Sequence, residues 1–273
     1  MGESATRLAR RPVAVRIGGL AVGLVFAAVV YSWAPGPRPA GADDQMVIGV
    51  SQEGRPLVVS RVGDGPSSLF IIGGQHGGPE ANTVRLAEQL LAHFQEHVDE
   101  IPPNLHLDVM TVANPDGLAS GARQYASGVD PNRNWGGPDW AADAADSNGV
   151  FRPGIGGAEP FSEPETQAER DYILQTDPLF TINYHSRGGF IFGGRTELSG
   201  RLADAYADAA GYRRSGAGGA RSLLGYRATG SMNVWMGDQG YAAILVELTS
   251  STEAELGRNL AGVRAVLAIL SAG

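Results

Sequence analysis

The stretch SLFIIGGQHGGPEANT, residues 68–83, contains a short apolar run, a glycine-rich turn and the start of a helix. The run over residues 69–72 is typical of a buried strand, because it is uniformly apolar and ends at a Gly-Gly pair. His76 follows in the turn, and Glu80 stands where an amphipathic helix is predicted to begin. A histidine and a carboxylate are therefore expected just beyond the end of a strand.

Imidazole and carboxylate groups are the ligands of a hydrolytic Zn²⁺ that keeps one position open for water, and a third ligand can come from far along the chain. Two later strand-like runs supply candidates: TINYHS, residues 181–186, contains His185, and AILVEL, residues 243–248, carries the single acid Glu247. A carboxylate in an apolar strand is costly to bury without a partner, so Glu247 is a candidate for general acid/base catalysis. Each residue alone also fits a structural role, as a hydrogen-bonded histidine or an arginine-paired acid.

Strands and helices alternate along the rest of the chain, which predicts an α/β fold with a mixed central sheet sandwiched by helices and with sites at strand ends. A long loop, roughly residues 114–160, contains DPNRNW and is expected to be functional. Ser162 is predicted as the N-cap of the following helix. The remaining predicted elements are a hairpin over 47–62, strands over 105–112 and 179–184, and helices after residue 80, over 197–210, after Ser231 and after residue 253.

Residues 1–42 resemble an export signal: four arginines precede an apolar run over residues 17–33, and a small-residue A-G-A site follows at 40–42. The run is short for a membrane span, so a cleaved signal peptide and an uncleaved membrane anchor both remain open. In both cases the basic head stays in the cytoplasm, and residues 43–273 are the predicted extracytoplasmic catalytic domain, secreted or anchored in the cell membrane.

The charge balance limits the choice of partners. The whole chain has 21 basic and 29 acidic residues, and residues 1–42 hold five of the former and one of the latter, which leaves residues 43–273 with a net charge of −12. An acidic domain without a basic stripe argues against nucleic acid and anionic lipid as ligands. The absence of cysteine excludes disulfides and thiolate zinc ligands.

Seven motifs strung along most of residues 47–271 resemble, in order, those of zinc carboxypeptidases of the M14 type: GGQHGGPEANT, NPDGL, GVDPNRNW, PFSEPET, NYHS, YRATGSMNVW and VELTS. The resemblance implies one Zn²⁺ per chain, with His76, Glu80 and His185 as its ligands, and Glu247 as the general base. The H-G-G-P-E spacing is one residue longer than the family's usual H-x-x-E, and two glycines can absorb the extra residue.

The same resemblance implies the substrate-binding residues. Arg123 would stabilise the developing oxyanion, Asn132 and Arg133 would hold the terminal carboxylate of the substrate, and the guanidinium fork suits a carboxylate. Tyr226 is similar to the family's mobile tyrosine, which closes over the substrate. Met232 falls near the floor of the specificity pocket, which predicts an uncharged side chain there.

A competing motif is present. Residues 93–97 spell H-x-x-E-H, the inverted zincin pattern, but they fall at the end of an amphipathic helix and no third ligand follows. We therefore interpret His93 and His97 as surface or helix-end residues.

Together these features predict a monomeric zinc metallocarboxypeptidase that acts on peptides with a free C-terminal carboxylate. Export makes cell-wall peptides plausible substrates. Two alternatives stay open: a deacylase or amidase of the same superfamily acting on N-acyl amino acids, and an inactive surface module that binds peptide ends.

Overall fold

The computed structural model describes residues 44–215 and 224–272. The predicted signal peptide or anchor, residues 1–42, lies outside the described residues. Among the helices that are described, none is long and apolar enough to cross a membrane.

The described strands are β1 Asp44–Val50, β2 Pro56–Val62, β3 Ser67–Ile72, β4 Leu105–Met110, β5 Ala144–Ala145, β6 Phe151–Arg152, β7 Phe180–Ser186, β8 Phe190–Gly193, β9 Arg213–Arg214 and β10 Ala243–Leu248. Eight of them form one mixed sheet in the order β1-β2-β4-β3-β7-β10-β8-β9, and the two short strands β5 and β6 form a separate hairpin.

The four central strands, β4, β3, β7 and β10, run parallel to one another. Strands β2 and β8 flank them in antiparallel orientation. Because parallel strands end at the same edge of the sheet, the chain segments that leave β3, β7 and β10 meet there. The register places Glu247 of β10 beside His185 of β7, so two predicted site residues are direct neighbours.

Helices cover both faces of the sheet, as predicted. The side chains of β3 alternate: Leu69 and Ile71 pack into one core, and Phe70 and Ile72 pack into the other. The helix bounds are α1 Ala81–Glu96, α2 Pro115–Ser120, α3 Pro164–Thr176, α4 Glu197–Ala210, α5 Met232–Asp238 and α6 Leu256–Leu270. The first core includes α1, α4 and α6, and the second includes α3 and α5.

The start of α3 differs from the prediction that Ser162 is its N-cap. The N-cap residue is Glu163, without a side-chain cap bond, and Pro164 occupies the first helical position. Proline favours that position because its fixed φ suits the first turn and its missing N–H has no helical partner there. Ser162 instead donates its hydroxyl proton to Glu163 Oε1 at 2.7 Å and accepts a hydrogen bond from Asn134 at 2.9 Å.

Candidate metal centre and active site

The turn between β3 and α1 brings His76 and Glu80 together despite the long spacing. A short 3-10 turn, Gly78–Glu80, leads into α1, and His76 Nδ1 lies 2.9 Å from Glu80 Oε1. Gly78 makes this turn feasible: its φ is +23°, and an added Cβ would lie 1.9 Å from the carbonyl oxygen of Gly121. The glycine therefore lets the turn pack directly against the chain that follows α2.

His185 completes a compact group of donor atoms. Its Nδ1 lies 3.1 Å from His76 Nδ1 and 3.3 Å from Glu80 Oε2, and one ligand atom from each residue falls within 4.8 Å of the others. All three side chains are buried. Burial lowers the pKa of His185 to about 4, so its imidazole stays neutral and can act as a ligand.

Asp130 fixes the orientation of the His76 ring. His76 Nε2 donates a hydrogen bond to Asp130 Oδ1 at 2.9 Å, which leaves the lone pair of Nδ1 directed towards Glu80 and His185. A carboxylate behind a ligating histidine is the usual outer partner in zinc sites, and two imidazoles with one carboxylate are a donor set of catalytic zinc. The residues present therefore fit a zinc ion.

The sequence patterns do not identify Asp130, which they contain only as part of the DPNRNW motif. The acid adjoins a proline and lies 54 residues from His76, so no local pattern connects the two. The available signal was an acid within a loop motif already expected to be functional.

Glu247 lies near the end of β10, next to His185 in the register. No hydrogen bond joins its carboxylate to any other part of the chain that the structure describes. Burial, followed by the nearby charge of Glu80, raises the pKa of Glu247 to about 8. The carboxylate is thus free to exchange a proton with a group in the cavity.

Arg123 forms two ion pairs, one with the donor group and one with Asp130 behind His76. Its Nη1 pairs with Glu80, and its Nε donates to Asp130 Oδ2 at 3.0 Å. Both acids are buried, and the positive charge of Arg123 helps to keep the pKa of Asp130 well below its usual range, although burial itself opposes this shift.

These groups meet in a cavity of about 640 Å³. Seven of the nine predicted site residues line it: Glu80, Arg123, Asn132, Arg133, His185, Tyr226 and Glu247. His76 lies behind this lining, in contact with Glu80 and His185. Arg187 also lines the cavity; it is exposed and forms no ion pair with a described acid.

Arg133 is 3% exposed and is held by neutral acceptors. Its Nε donates to the carbonyl oxygen of Ala145 at 2.9 Å, its Nη1 donates to that of Asn132 at 2.8 Å, and its Nη2 lies 3.4 Å from the hydroxyl of Tyr226. No carboxylate within the described ranges pairs with this guanidinium. A buried cation without an anion is costly, so the arrangement is suited to binding an anionic ligand.

Met232 is not brought to the cavity, contrary to the expectation that it floors the pocket. It is 1% exposed, and its backbone N–H donates to Asn132 Oδ1 at 3.0 Å. Asn233, the next residue on α5, lines the cavity instead. The amide of Asn233 makes this wall polar and uncharged, whereas Met232 was the residue predicted near it.

The H-x-x-E-H motif forms no metal group. His93 Nε2 lies 3.2 Å from Glu100 Oε2, which Arg264 also contacts. The ring centroids of His93 and His97 lie 4.6 Å apart near the end of α1, with the ring planes tilted by 46°. Within residues 44–215 and 224–272, the group His76, Glu80 and His185 is the only one of three or more histidines and acids with metal-binding geometry.

Known proteins provide an independent comparison. The family model Peptidase_M14, described as zinc carboxypeptidase, matches residues 44–256. Murein peptide amidase A of Escherichia coli K12 is 30% identical over 199 residues, which are 68% of this chain and 74% of that protein.

Among solved structures, bovine thrombin-activatable fibrinolysis inhibitor in complex with tick carboxypeptidase inhibitor has a TM-score of 0.71 at 21% identity, covering 84% of this chain and 90% of that one. The murein-tripeptide amidase of Escherichia coli O157 has a TM-score of 0.60 at 24% identity, covering 82% and 96%. At such low identity these likenesses show the fold alone. The family match, however, shows that the chain belongs to the zinc carboxypeptidase family, Peptidase_M14, and is a peptide hydrolase of the metallopeptidase type.

Proposed function

We propose that the protein is a zinc-dependent carboxypeptidase that hydrolyses the C-terminal peptide bond of substrates with a free carboxylate. One observation carries the proposal: a buried arginine lines the same cavity as Glu247 and the donor group's Glu80 and His185, and neither that arginine nor Glu247 has an ion-pair partner among the described residues.

Substrate binding follows from the surroundings of Arg133. The guanidinium is held in place by backbone carbonyls and by Tyr226, so its charge is positioned before any ligand arrives. The terminal carboxylate of a peptide supplies the missing anion and forms charge-assisted hydrogen bonds. The last peptide bond is thereby directed along the cavity towards the donor group.

The metal site would consist of His76, Glu80 and His185. A zinc ion held there supplies Lewis acidity, which acidifies a water molecule and polarises the scissile carbonyl group. Asp130 holds the His76 ring in the orientation that ligation requires.

Proton transfer falls to Glu247. Its free carboxylate takes a proton from the attacking water and delivers that proton to the nitrogen of the leaving amino acid. Arg123 lines the same cavity, and its positive charge offsets the negative charge that develops on the carbonyl oxygen.

For the substrate class we propose peptides of the bacterial cell wall. The support is the 30% identity with a murein peptide amidase and the predicted export of residues 43–273. Murein peptides present free carboxylates, which is the chemistry that Arg133 is placed to recognise. We accordingly propose an extracytoplasmic location for the catalytic domain.

The test is to incubate the full chain, loaded with zinc, with murein peptides, linear peptides, their C-terminal amides and N-acyl amino acids. Products are identified by mass spectrometry. Release of one C-terminal residue from the free acids, with the amides intact, supports the proposal. Cleavage of the N-acyl amino acids alone favours the deacylase, and binding without any turnover favours a peptide-binding module.

A further inference from the structure

A short hairpin at the rim of the cavity contacts both Arg133 and Tyr226. We call residues 144–152 the rim hairpin; it consists of β5, β6 and the turn between them, with Ala144 opposite Arg152 in the antiparallel register. Ser147 and Asn148 in its turn line the cavity. The hairpin lies in the long polar loop, far along the chain from the strands that carry the metal donors.

The turn is organised around one side chain. Asp146 Oδ1 accepts hydrogen bonds from the backbone N–H groups of Asn148, at 2.9 Å, and Val150, at 3.0 Å. Its Oδ2 accepts from Arg152 Nε at 2.9 Å. Two backbone donors and one charged donor on a single carboxylate define the shape of a turn in which strand pairing is only two residues long.

The first strand of the hairpin holds Arg133. The carbonyl oxygen of Ala145 accepts a hydrogen bond from Arg133 Nε at 2.9 Å. Asp146, which organises the turn, is the next residue in the chain. The placement of the Ala145 carbonyl, and with it the direction of the guanidinium, therefore depends on the hairpin.

The turn also packs against Tyr226. Gly149 has a φ of +77°, and an added Cβ would lie 3.2 Å from Cδ1 and 3.4 Å from Cβ of Tyr226. A side chain at this position would push on the tyrosine ring. The hydroxyl of Tyr226 in turn lies 3.4 Å from Arg133 Nη2. Arg133, the rim hairpin and Tyr226 therefore each contact the other two.

We propose that the rim hairpin is the positioning element for carboxylate recognition, in which Asp146 and Gly149 set the placement of Arg133 and Tyr226. The inference rests on the proposed function, because it takes a peptide carboxylate as the ligand of Arg133. Asp146 and Gly149 act through the two side chains and do not touch the substrate.

A matched pair of glycine substitutions tests this. Gly149→Ala and Gly154→Ala both place a side chain at a positive φ in the same loop, but an added Cβ on Gly154 has nothing within 4 Å. Both are made in the zinc-loaded full chain carrying Glu247→Gln, so that turnover does not interfere. Calorimetry then measures the affinity for acetyl-Ala-Ala and for its C-terminal amide.

We expect Gly149→Ala to weaken binding of the free acid about tenfold, the loss that follows from misplacing one charge-assisted contact. Binding of the amide should change no more than it does in Gly154→Ala. In a Tyr226→Ala background, Gly149→Ala should have no effect beyond that of Gly154→Ala, because the contact that it disturbs is gone. Asp146→Ala should resemble Gly149→Ala, whereas Asp146→Asn, which keeps the Oδ1 acceptor, should largely restore affinity.

The outcomes separate this inference from the proposed function. If the parent prefers the free acid and Gly149→Ala equals Gly154→Ala, the role of the hairpin is overturned while the proposed function stands. If the effect of Gly149→Ala persists undiminished in the Tyr226→Ala background, the hairpin does not act through Tyr226. If the parent shows no preference for the free acid, the proposed function fails and the inference fails with it.

Discussion

Asp130 accepts a hydrogen bond from His76 Nε2 at 2.9 Å, on the opposite side of the ring from the Nδ1 atom that faces Glu80 and His185. The contact selects the tautomer in which Nδ1 is a lone-pair donor. It also joins the metal donor group to the loop that carries the carboxylate-binding residues, since Asp130 Oδ1 further accepts from the backbone N–H of Asn132 at 2.9 Å.

Removing this outer carboxylate should weaken metal binding. We expect Asp130→Ala to lower zinc affinity by about 10- to 100-fold. The His76 ring loses the hydrogen bond that fixes its orientation and that makes its Nδ1 atom a more basic ligand. Competition with a chelator of known affinity measures the change. Asp143→Ala, at an acid in the same loop whose carboxylate accepts a hydrogen bond from the backbone N–H of Gly154 at 2.8 Å, is the matched control. Equal zinc affinity in the two variants would contradict the role given to Asp130.

Replacing the proposed base should separate catalysis from metal binding. We expect Glu247→Gln to lower kcat by about 10²- to 10⁴-fold, because the isosteric amide cannot take a proton from water. Zinc content should stay at the parental level, since Glu247 is not in the donor group. Exposed Glu253, in the loop after β10, provides the control Glu253→Gln. A Glu247→Gln enzyme with parental kcat would rule this residue out as the base.

Two cavity arginines should behave differently. Arg133→Lys loses the planar fork that its backbone partners orient, so we expect KM for a free-acid peptide to rise about tenfold or more, with a smaller change in kcat. Arg187→Lys, at an exposed arginine on the same cavity, should leave KM within about twofold, a change expected for an exposed charge. Steady-state kinetics of both variants on one free-acid peptide measures the two KM values. A large rise in KM for Arg187→Lys with little change for Arg133→Lys would assign the carboxylate site to Arg187 instead.

The buried acid Glu169 on α3 should make stability depend on pH. Burial, with the charge of Glu165 added to it, raises the pKa of Glu169 to about 8. An unfolded glutamic acid releases its proton near pH 4.5, so between that pH and about 8 the folded state binds more protons and stability falls as pH rises. Below this window the contribution is fully present.

Glu169→Gln should remove that dependence and raise the free energy of unfolding at pH 9, relative to the parent, by ~2–4 kcal/mol. Urea denaturation at pH 5, 7 and 9, with the zinc concentration held constant, measures the free energy of unfolding. The control is Glu159→Gln, at an exposed acid just before α3. Parallel pH profiles for the parent and Glu169→Gln would show that Glu169 is ionised in the folded protein.

Sequence patterns were sufficient where a functional residue belongs to a regular element. His76, His185 and Glu247 follow or end apolar runs, and parallel strands bring such ends to one edge, so their proximity followed from the fold class. The helices on both faces followed from apolar periodicity in the same way.

The sequence did not reveal relationships that depend on loop geometry or on helix phase. The contact between Asp130 and His76 spans 54 residues of chain and depends on the path of an irregular loop. Met232 and Asn233 are adjacent at the start of a seven-residue helix, and only the packing of that helix decides which one faces the cavity. The strands of the rim hairpin are two residues long and lie in a polar segment, so they are too short to show the alternation of apolar and polar residues that predicts a strand.

The most direct measurement is the metal content of the purified full chain by elemental analysis, for the parent, His76→Ala, His185→Ala and the double variant His93→Ala/His97→Ala. We expect about one zinc per chain in the parent and the double variant, with loss in both single variants, because His76 and His185 are donors in one compact group. Zinc that is lost only with His93 and His97 would place the site at the end of α1, and a parent without bound metal would contradict the proposed zinc chemistry altogether.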